Sequence, residues 1–182
     1  IIWGNALQEI TRYPLPVTRY KVLANLPYQI TSHLLRLLLE AEHKPERIIV
    51  MVQKEVAEKI CATPPDMSLL AVSVQYYGTP KMIAKVSKGS FWPVPKVDSA
   101  VVSITLPPHH LTTLPQEEKE FFRVVKAGFA HKRKQLWRNL ADGLRMPADR
   151  VKSTLVEVVG NEKARAEELS VEEWKRLVAG LL

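Results

Sequence analysis

Residues 20 to 52 constrain the fold more than any other stretch. Tyr20 to Ala24 is a short apolar run that reads as a buried strand, and Asn25-Leu26-Pro27-Tyr28 ends it, because a proline lacks a backbone donor and restricts the residue before it. A helix is predicted next, with Thr31 or Ser32 as its N-cap and Leu34, Leu35, Leu38 and Leu39 on one face. Arg47 to Val52 is a second apolar strand. Strand, helix and strand in this order, with both strands apolar throughout, predict a parallel α/β unit.

Further along, Glu55 to Ala62 reads as a helix stopped by Pro64-Pro65. Ser68 to Tyr77 fits helix better than strand, with Ser68 as cap. Lys81 to Val86 and Ser99 to Leu106 read as strands joined by the stiff loop Phe91-Trp92-Pro93-Val94-Pro95. Pro107-Pro108 closes the α/β pattern and divides the chain into 1–106 and 107–182. Beyond it the chain is predicted to be helical. Glu117 and Glu118 suit a first turn, and Phe122, Val125 and Phe129 form an apolar stripe that Leu136 and Leu140 continue up to Gly143 and Pro147. Two or three shorter helices follow, the last from about Ser170 to Val178.

Composition narrows the class. The 46% hydrophobic and 25% charged residues suit a globular core. No run of about 18 apolar residues offers a membrane span, and no secretion signal opens the chain. Its one cysteine, Cys61, excludes an internal disulfide and reads as a small buried helix residue. A reducing, cytoplasmic setting is expected. The five histidines show no metal spacing, His109-His110 read as loop residues, and the seven glycines do not cluster into a phosphate loop. The net charge of +7 points to a polyanionic partner such as nucleic acid.

Three segments could carry chemistry. Asn25-Leu26-Pro27-Tyr28 falls at the carboxyl end of a strand, the edge where parallel sheets bind ligands. The Asn25 side-chain carbonyl and the Leu26 backbone carbonyl could accept the hydrogens of an exocyclic amine. Tyr28 offers a face on which a flipped-out base could stack. The alternative is an ordinary strand-ending turn. The second segment is Phe91 to Ser99, whose two prolines hold an aromatic loop extended, with Phe91 as a second wall for a base. The alternative packs Phe91 and Trp92 into the core. The third is the basic stretch Lys126, His131, Lys132, Arg133, Lys134 and Arg138, with no acidic residue between Glu120 and Asp142. Lys134 and Arg138 lie one helical turn apart, and an RNA backbone or plain solvent could face them.

Taken together, Gly4-Asn5-Ala6-Leu7, Asn25 to Ser32, Met51 to Ala57, Val74 to Tyr77, Phe91 to Val102 and Phe129 to Leu136 resemble the ribosomal RNA adenine N6-dimethyltransferase family. The Phe-X-Pro-X-Pro-X-Val-Asp-Ser segment is the most specific. The resemblance implies a partial Rossmann-like methyltransferase sheet followed by a small all-helical C-terminal domain that binds rRNA. It implies S-adenosyl-L-methionine as cofactor and adjacent adenines of small-subunit rRNA, in the 30S pre-ribosomal particle, as substrate. Asn25, Leu26, Pro27, Tyr28 and Phe91 would form the catalytic set. Asn5, Ala6, Asn25 and Pro27 would touch the cofactor. Lys126, Lys132, Arg133, Lys134 and Arg138 would touch rRNA. The family usually has Gly-Asp-Ala where this chain has Gly4-Asn5-Ala6, so a carbonyl replaces a carboxylate toward the cofactor adenine.

The family's glycine-rich loop and ribose-binding acid have no counterpart in these residues. The chain therefore reads as truncated, as a proteolytic remnant, or as the ordered part of a longer chain, inactive as it stands. Its exposed sheet edge would be covered by self-association. Two other readings stay open: a non-catalytic RNA-binding or ribosome-assembly module, and a large-subunit rRNA methyltransferase of the resistance type.

Overall fold

The computed structural model describes residues 3–5, 7–8, 20–25, 27–107 and 115–182. The chain divides into two compact units, one of Ile1–Cys61 with Tyr77–Leu111, the other of Ala62–Tyr76 with Thr112–Leu182.

The first unit is built on a four-stranded sheet in the order β1-β2-β4-β3. Strand β1 (Lys21–Asn25) runs parallel to β2 (Arg47–Gln53), with Lys21 opposite Arg47 and Asn25 opposite Met51. Helix α1 (Thr31–Glu40) makes the crossover and buries Leu34, Leu35, Leu38 and Leu39. This is the parallel unit expected from the sequence. Thr31 and Ser32 do not cap the helix. A 3-10 turn, Tyr28–Ile30, runs straight into it, and the Thr31 N–H is already bonded to the Tyr28 carbonyl. Strand β1 is not buried either. It pairs with β2 on one side, alternate residues face solvent, and Leu23 is 83% exposed.

Helix α2 (Lys54–Ile60) follows β2 directly, and Cys61 stands at its carboxyl end, partly rather than fully buried. Helix α3 (Leu69–Tyr77) opens with the Ser68 hydroxyl accepting the Ala71 N–H at 3.1 Å. Gly78 then turns the chain toward the sheet. A Cβ there would meet the Thr105 carbonyl oxygen at 2.6 Å, so only glycine allows the approach. Strands β3 (Thr79–Val86) and β4 (Ser99–Thr105) pair antiparallel, and β4 lies antiparallel to β2. A bulge between Met82 and Ala84, with Lys81 and Lys85 exposed, makes edge strand β3 a poor template for further pairing. Ile48, Val50, Val52, Ala100, Val102 and Ile104 fill the centre of this unit.

The second unit is helical. It contains Leu69–Tyr76 of α3 with α4 (Pro115–Gly128), α5 (Leu136–Leu144), α6 (Ala148–Val159) and α7 (Val171–Leu181). Fully buried Trp174 is packed among Phe121, Val125, Leu136, Leu140 and Leu177. Phe129 stacks on it at 5.6 Å, and Tyr76 stacks on Phe121 at 4.3 Å. The single long helix expected up to Gly143 is two helices, and the buried stripe of α4 is Phe121, Val124, Val125 and Gly128 rather than Phe122 and Phe129. Asn139 fixes the break, donating from Nδ2 to the carbonyls of Gly128 (2.7 Å) and His131 (3.1 Å). Gly143 lies inside α5, and Arg145, in the left-handed region at φ 55°, ends it.

Candidate functional site

The carboxyl end of β1 and the loop between β3 and β4 frame one groove of about 240 Å³, lined by Asn25, Pro27, Tyr28, Phe91, Trp92, Pro93 and Pro95. Two sequence segments some sixty residues apart thus share one wall-and-floor arrangement. Asn25 is the last residue of β1 and is exposed, and Tyr28 begins the 3-10 turn. The Tyr28 hydroxyl hydrogen-bonds Ser99 Oγ at 2.5 Å, which ties the phenol to the start of β4. Ser99 itself is fully buried, so the ring is anchored to the core of the sheet.

The loop is pinned at both ends. The Lys88 N–H donates to Asp98 Oδ1 at 3.0 Å, and the Lys54 N–H donates to the Asp98 carbonyl at 2.9 Å. The Phe91 N–H donates to the Lys88 carbonyl at 3.3 Å. Pro93 and Pro95 restrict the backbone further. Phe91 is partly buried, whereas Trp92 is 95% exposed, so Trp92 is not a core residue. Asp98 and Ser99 are the positioning residues that sequence reasoning missed. They sit inside the quoted motif, but their partners lie in distant segments.

Groove volume bears on what could enter. It falls below the roughly 300–1,000 Å³ typical of sites for drug-sized ligands, and its walls are planar side chains. Asn25 presents a carbonyl oxygen and an amide at its edge, where its side chain makes no hydrogen bond to the described residues. A flat heterocycle with an exocyclic donor suits such a space.

Of the other expected residues, Leu26 and Ala6 lie outside the described residues. Asn5 is described, and its Oδ1 already accepts the Leu7 N–H at 3.0 Å. One lone pair of that oxygen remains for a further donor. No cluster of His, Cys, Asp and Glu among the described residues could hold a metal ion. No described helix is long and apolar enough to cross a membrane.

The basic stretch lies in the helical unit. Lys126 is in the last turn of α4, and Arg138 is on α5. Lys132, Arg133 and Lys134 occupy the turn between those helices, not a helix face, and all five are exposed. Lys134 Nζ lies 3.7 Å from Asp142. The structure adds Lys152 of α6, whose Nζ sits 4.5 Å from the centre of the Trp137 ring, with the Arg138 guanidinium 5.1 Å from the same ring. Sequence spacing gives no sign of that pairing.

The sheet, crossover and helical unit define a Rossmann-like methyltransferase fold. The crystal structure of the 23S rRNA methyltransferase ErmE matches with a TM-score of 0.72 at 27% identity, over 92% of this chain and 67% of that one. A dimethyladenosine transferase from Plasmodium falciparum matches with a TM-score of 0.72 at 24% identity, over 87% of this chain and 66% of that one. Within that class the chain belongs to the ribosomal RNA adenine dimethylase family, whose model matches residues 7–181. Its relatives include the ribosomal RNA small subunit methyltransferase A of Dehalococcoides mccartyi (strain CBDB1), 48% identical over 93% of this chain and 57% of the relative. The protein of the same name in Streptococcus equi subsp. zooepidemicus is 37% identical over 96% of this chain and 61% of its own length. The chain thus spans a little over half the length of these relatives.

Proposed function

We propose that the protein dimethylates N6 of adjacent adenines in small-subunit rRNA with S-adenosyl-L-methionine, in the cytoplasm and during assembly of the 30S particle. The observation that carries this reading is the groove itself, which gathers Asn25, Tyr28 and Phe91 at the carboxyl edge of the sheet. An adenine extruded from its strand would lie between the rings of Tyr28 and Phe91. Its amine is a poor nucleophile because the nitrogen lone pair is delocalised into the ring. The Asn25 side-chain oxygen, together with the Leu26 carbonyl, would accept the amine hydrogens and favour a pyramidal nitrogen with its lone pair free. The cofactor, held by Asn25, Pro27, Asn5 and Ala6, would supply an electrophilic methyl group. The surplus proton would leave to solvent, because among the described residues the only titratable side chain lining the groove is the Tyr28 phenol, and Ser99 holds it. The exposed tract Lys126, Lys132, Arg133, Lys134 and Arg138 would bind rRNA phosphates.

Phe91→Ala in the intact protein should lower methylation of undermethylated small subunits about ten- to a hundredfold, in line with the loss of one stacking face, while cofactor binding by calorimetry persists. Wild-type turnover in that variant would remove Phe91 from the site. Label appearing only in large subunits would favour the resistance-type reading, which the likeness to ErmE supports. RNA binding without any cofactor heat would favour a non-catalytic assembly module, the reading that the exposed basic turn supports.

A further inference from the structure

The Trp92 indole is 95% exposed, and among the described residues no hydrogen bond or ring contact engages it. An indole contributes to folding only when buried, so this one does little for the stability of the sheet. Its backbone is nevertheless held in place. The bonds from Lys88 and Lys54 to Asp98 and the two prolines fix the loop that carries it. On a fixed loop an indole has only its two side-chain torsions left to order when a partner arrives, so stacking on it costs little entropy. Trp92 also lines the same groove as Tyr28 and Phe91. A base drawn into that groove stays attached to its neighbours through the backbone, so an adjoining base must lie at the groove mouth.

The same loop also borders a second depression of about 340 Å³, lined by Lys54, Lys88 and Lys96 along with Glu55, Glu58 and Asp98. Glu58 lies 3.8 Å from Lys54. Lys88 and Lys96 have no carboxylate within 4.0 Å among the described residues, yet the lining as a whole carries three cations and three carboxylates, so its net charge selects no partner. What selects one is the groove, because an exposed aromatic at the mouth of a base-sized slot offers a face on which an unpaired base can stack. We propose that Trp92 is a stacking platform for the unpaired RNA nucleotide next to the target adenine. This rests on the reading that the groove receives an adenine.

The test uses the intact protein and an RNA hairpin whose loop holds two adjacent adenines. The fluorescent adenine analogue 2-aminopurine is placed at the target position or at either adjoining one. Quenching is expected at the target position and at one adjoining position. Trp92→Ala should abolish the adjoining signal and weaken binding about five- to a hundredfold. Trp92→Phe should restore most of both. Replacing the adjoining nucleotide with an abasic site should weaken binding similarly, and Trp92→Ala should then cost nothing more. A Trp92→Ala effect that is absent, or that persists in full on the abasic RNA, overturns the proposal while target quenching upholds the groove reading. That outcome would leave Trp92 as a contact for a protein. No quenching at any of the three positions overturns both.

Discussion

Gly128 shows how one residue's surroundings reverse the usual sign of a substitution. In an ordinary helix, alanine in place of glycine stabilises by about 0.5–1 kcal/mol. At Gly128 a Cβ would come within 2.4 Å of Trp174 Cη2 and 2.8 Å of Leu136 Cδ1. Trp174 is fully buried and cannot swing away, so the added methyl must displace the centre of the helical unit. Overpacking of this kind costs about 1–3 kcal/mol, which exceeds the propensity gain. Gly128→Ala is therefore expected to destabilise the protein by about 1–2 kcal/mol in urea unfolding. A stabilised variant would show that the Trp174 pocket is slack. Glycine at this position was visible in the sequence, but the reason for it was not, because Trp174 approaches from a helix that begins more than forty residues later.

Among the elements, α7 has the clearest local signature. Ser170 Oγ accepts the Glu173 N–H at 3.3 Å, and Glu173 Oε2 accepts the Ser170 N–H at 2.8 Å, a reciprocal capping box. The Ser170 hydroxyl beside Glu173 holds its carboxyl below the usual range. Burial opposes this as the next largest effect, and the Ser170 backbone N–H and the Arg176 charge add smaller lowering contributions. A lowered native pKa means that the unfolded chain takes up the proton first as pH falls. The stabilisation is complete above the ordinary glutamate range and disappears as pH drops through the native value. Ser170→Ala should cost about 0.5–2 kcal/mol at neutral pH in urea unfolding. The gap between the two proteins should narrow in acid, and a gap independent of pH would detach Glu173 from the cap. Such a start is legible because all its parts lie within four residues. The gap between α4 and α5 was not. Leu136 falls about three turns after Val125 at 3.6 residues per turn, so an unbroken helix and the real pair of helices keep the same apolar phase. The bonds of Asn139, and that from the Leu136 N–H to the Ala164 carbonyl, separate them.

For the whole molecule, the expected division at Pro107-Pro108 follows the chain, whereas the compact units do not, because the segment Ala62–Tyr76 joins the helical unit. Met67, Ala71 and Val72 lie in that unit's core, and the Met67 N–H donates to the Glu167 carbonyl. Local periodicity announces an apolar helix there, yet it cannot say which of two cores receives it. The groove was more legible, since Asn25, Tyr28 and Phe91 each sit in a distinctive motif. The exposure of Trp92 was not, because a proline-stiffened loop could as well have turned the indole inward.

Charge is the property of the whole chain that the sequence states outright, and it carries its own prediction. A net charge of +7 will attract RNA whatever the local geometry. The tract Lys132, Arg133 and Lys134 adds something narrower, three cations in one exposed turn with a single ion pair, from Lys134 to Asp142, among the described residues. Each phosphate contact contributes about 0.7–0.9 to the slope of log affinity against log salt. Replacing all three residues with alanine should therefore make the slope for rRNA binding shallower by about 2–3. The hydrogen bonds that shape this turn run from Asn139 to backbone carbonyls, so the substitutions leave the fold in place. A lowered affinity with an unchanged slope would mean that the loss is not electrostatic and that these side chains neutralise no phosphates. A changed slope would place RNA phosphates on the turn itself.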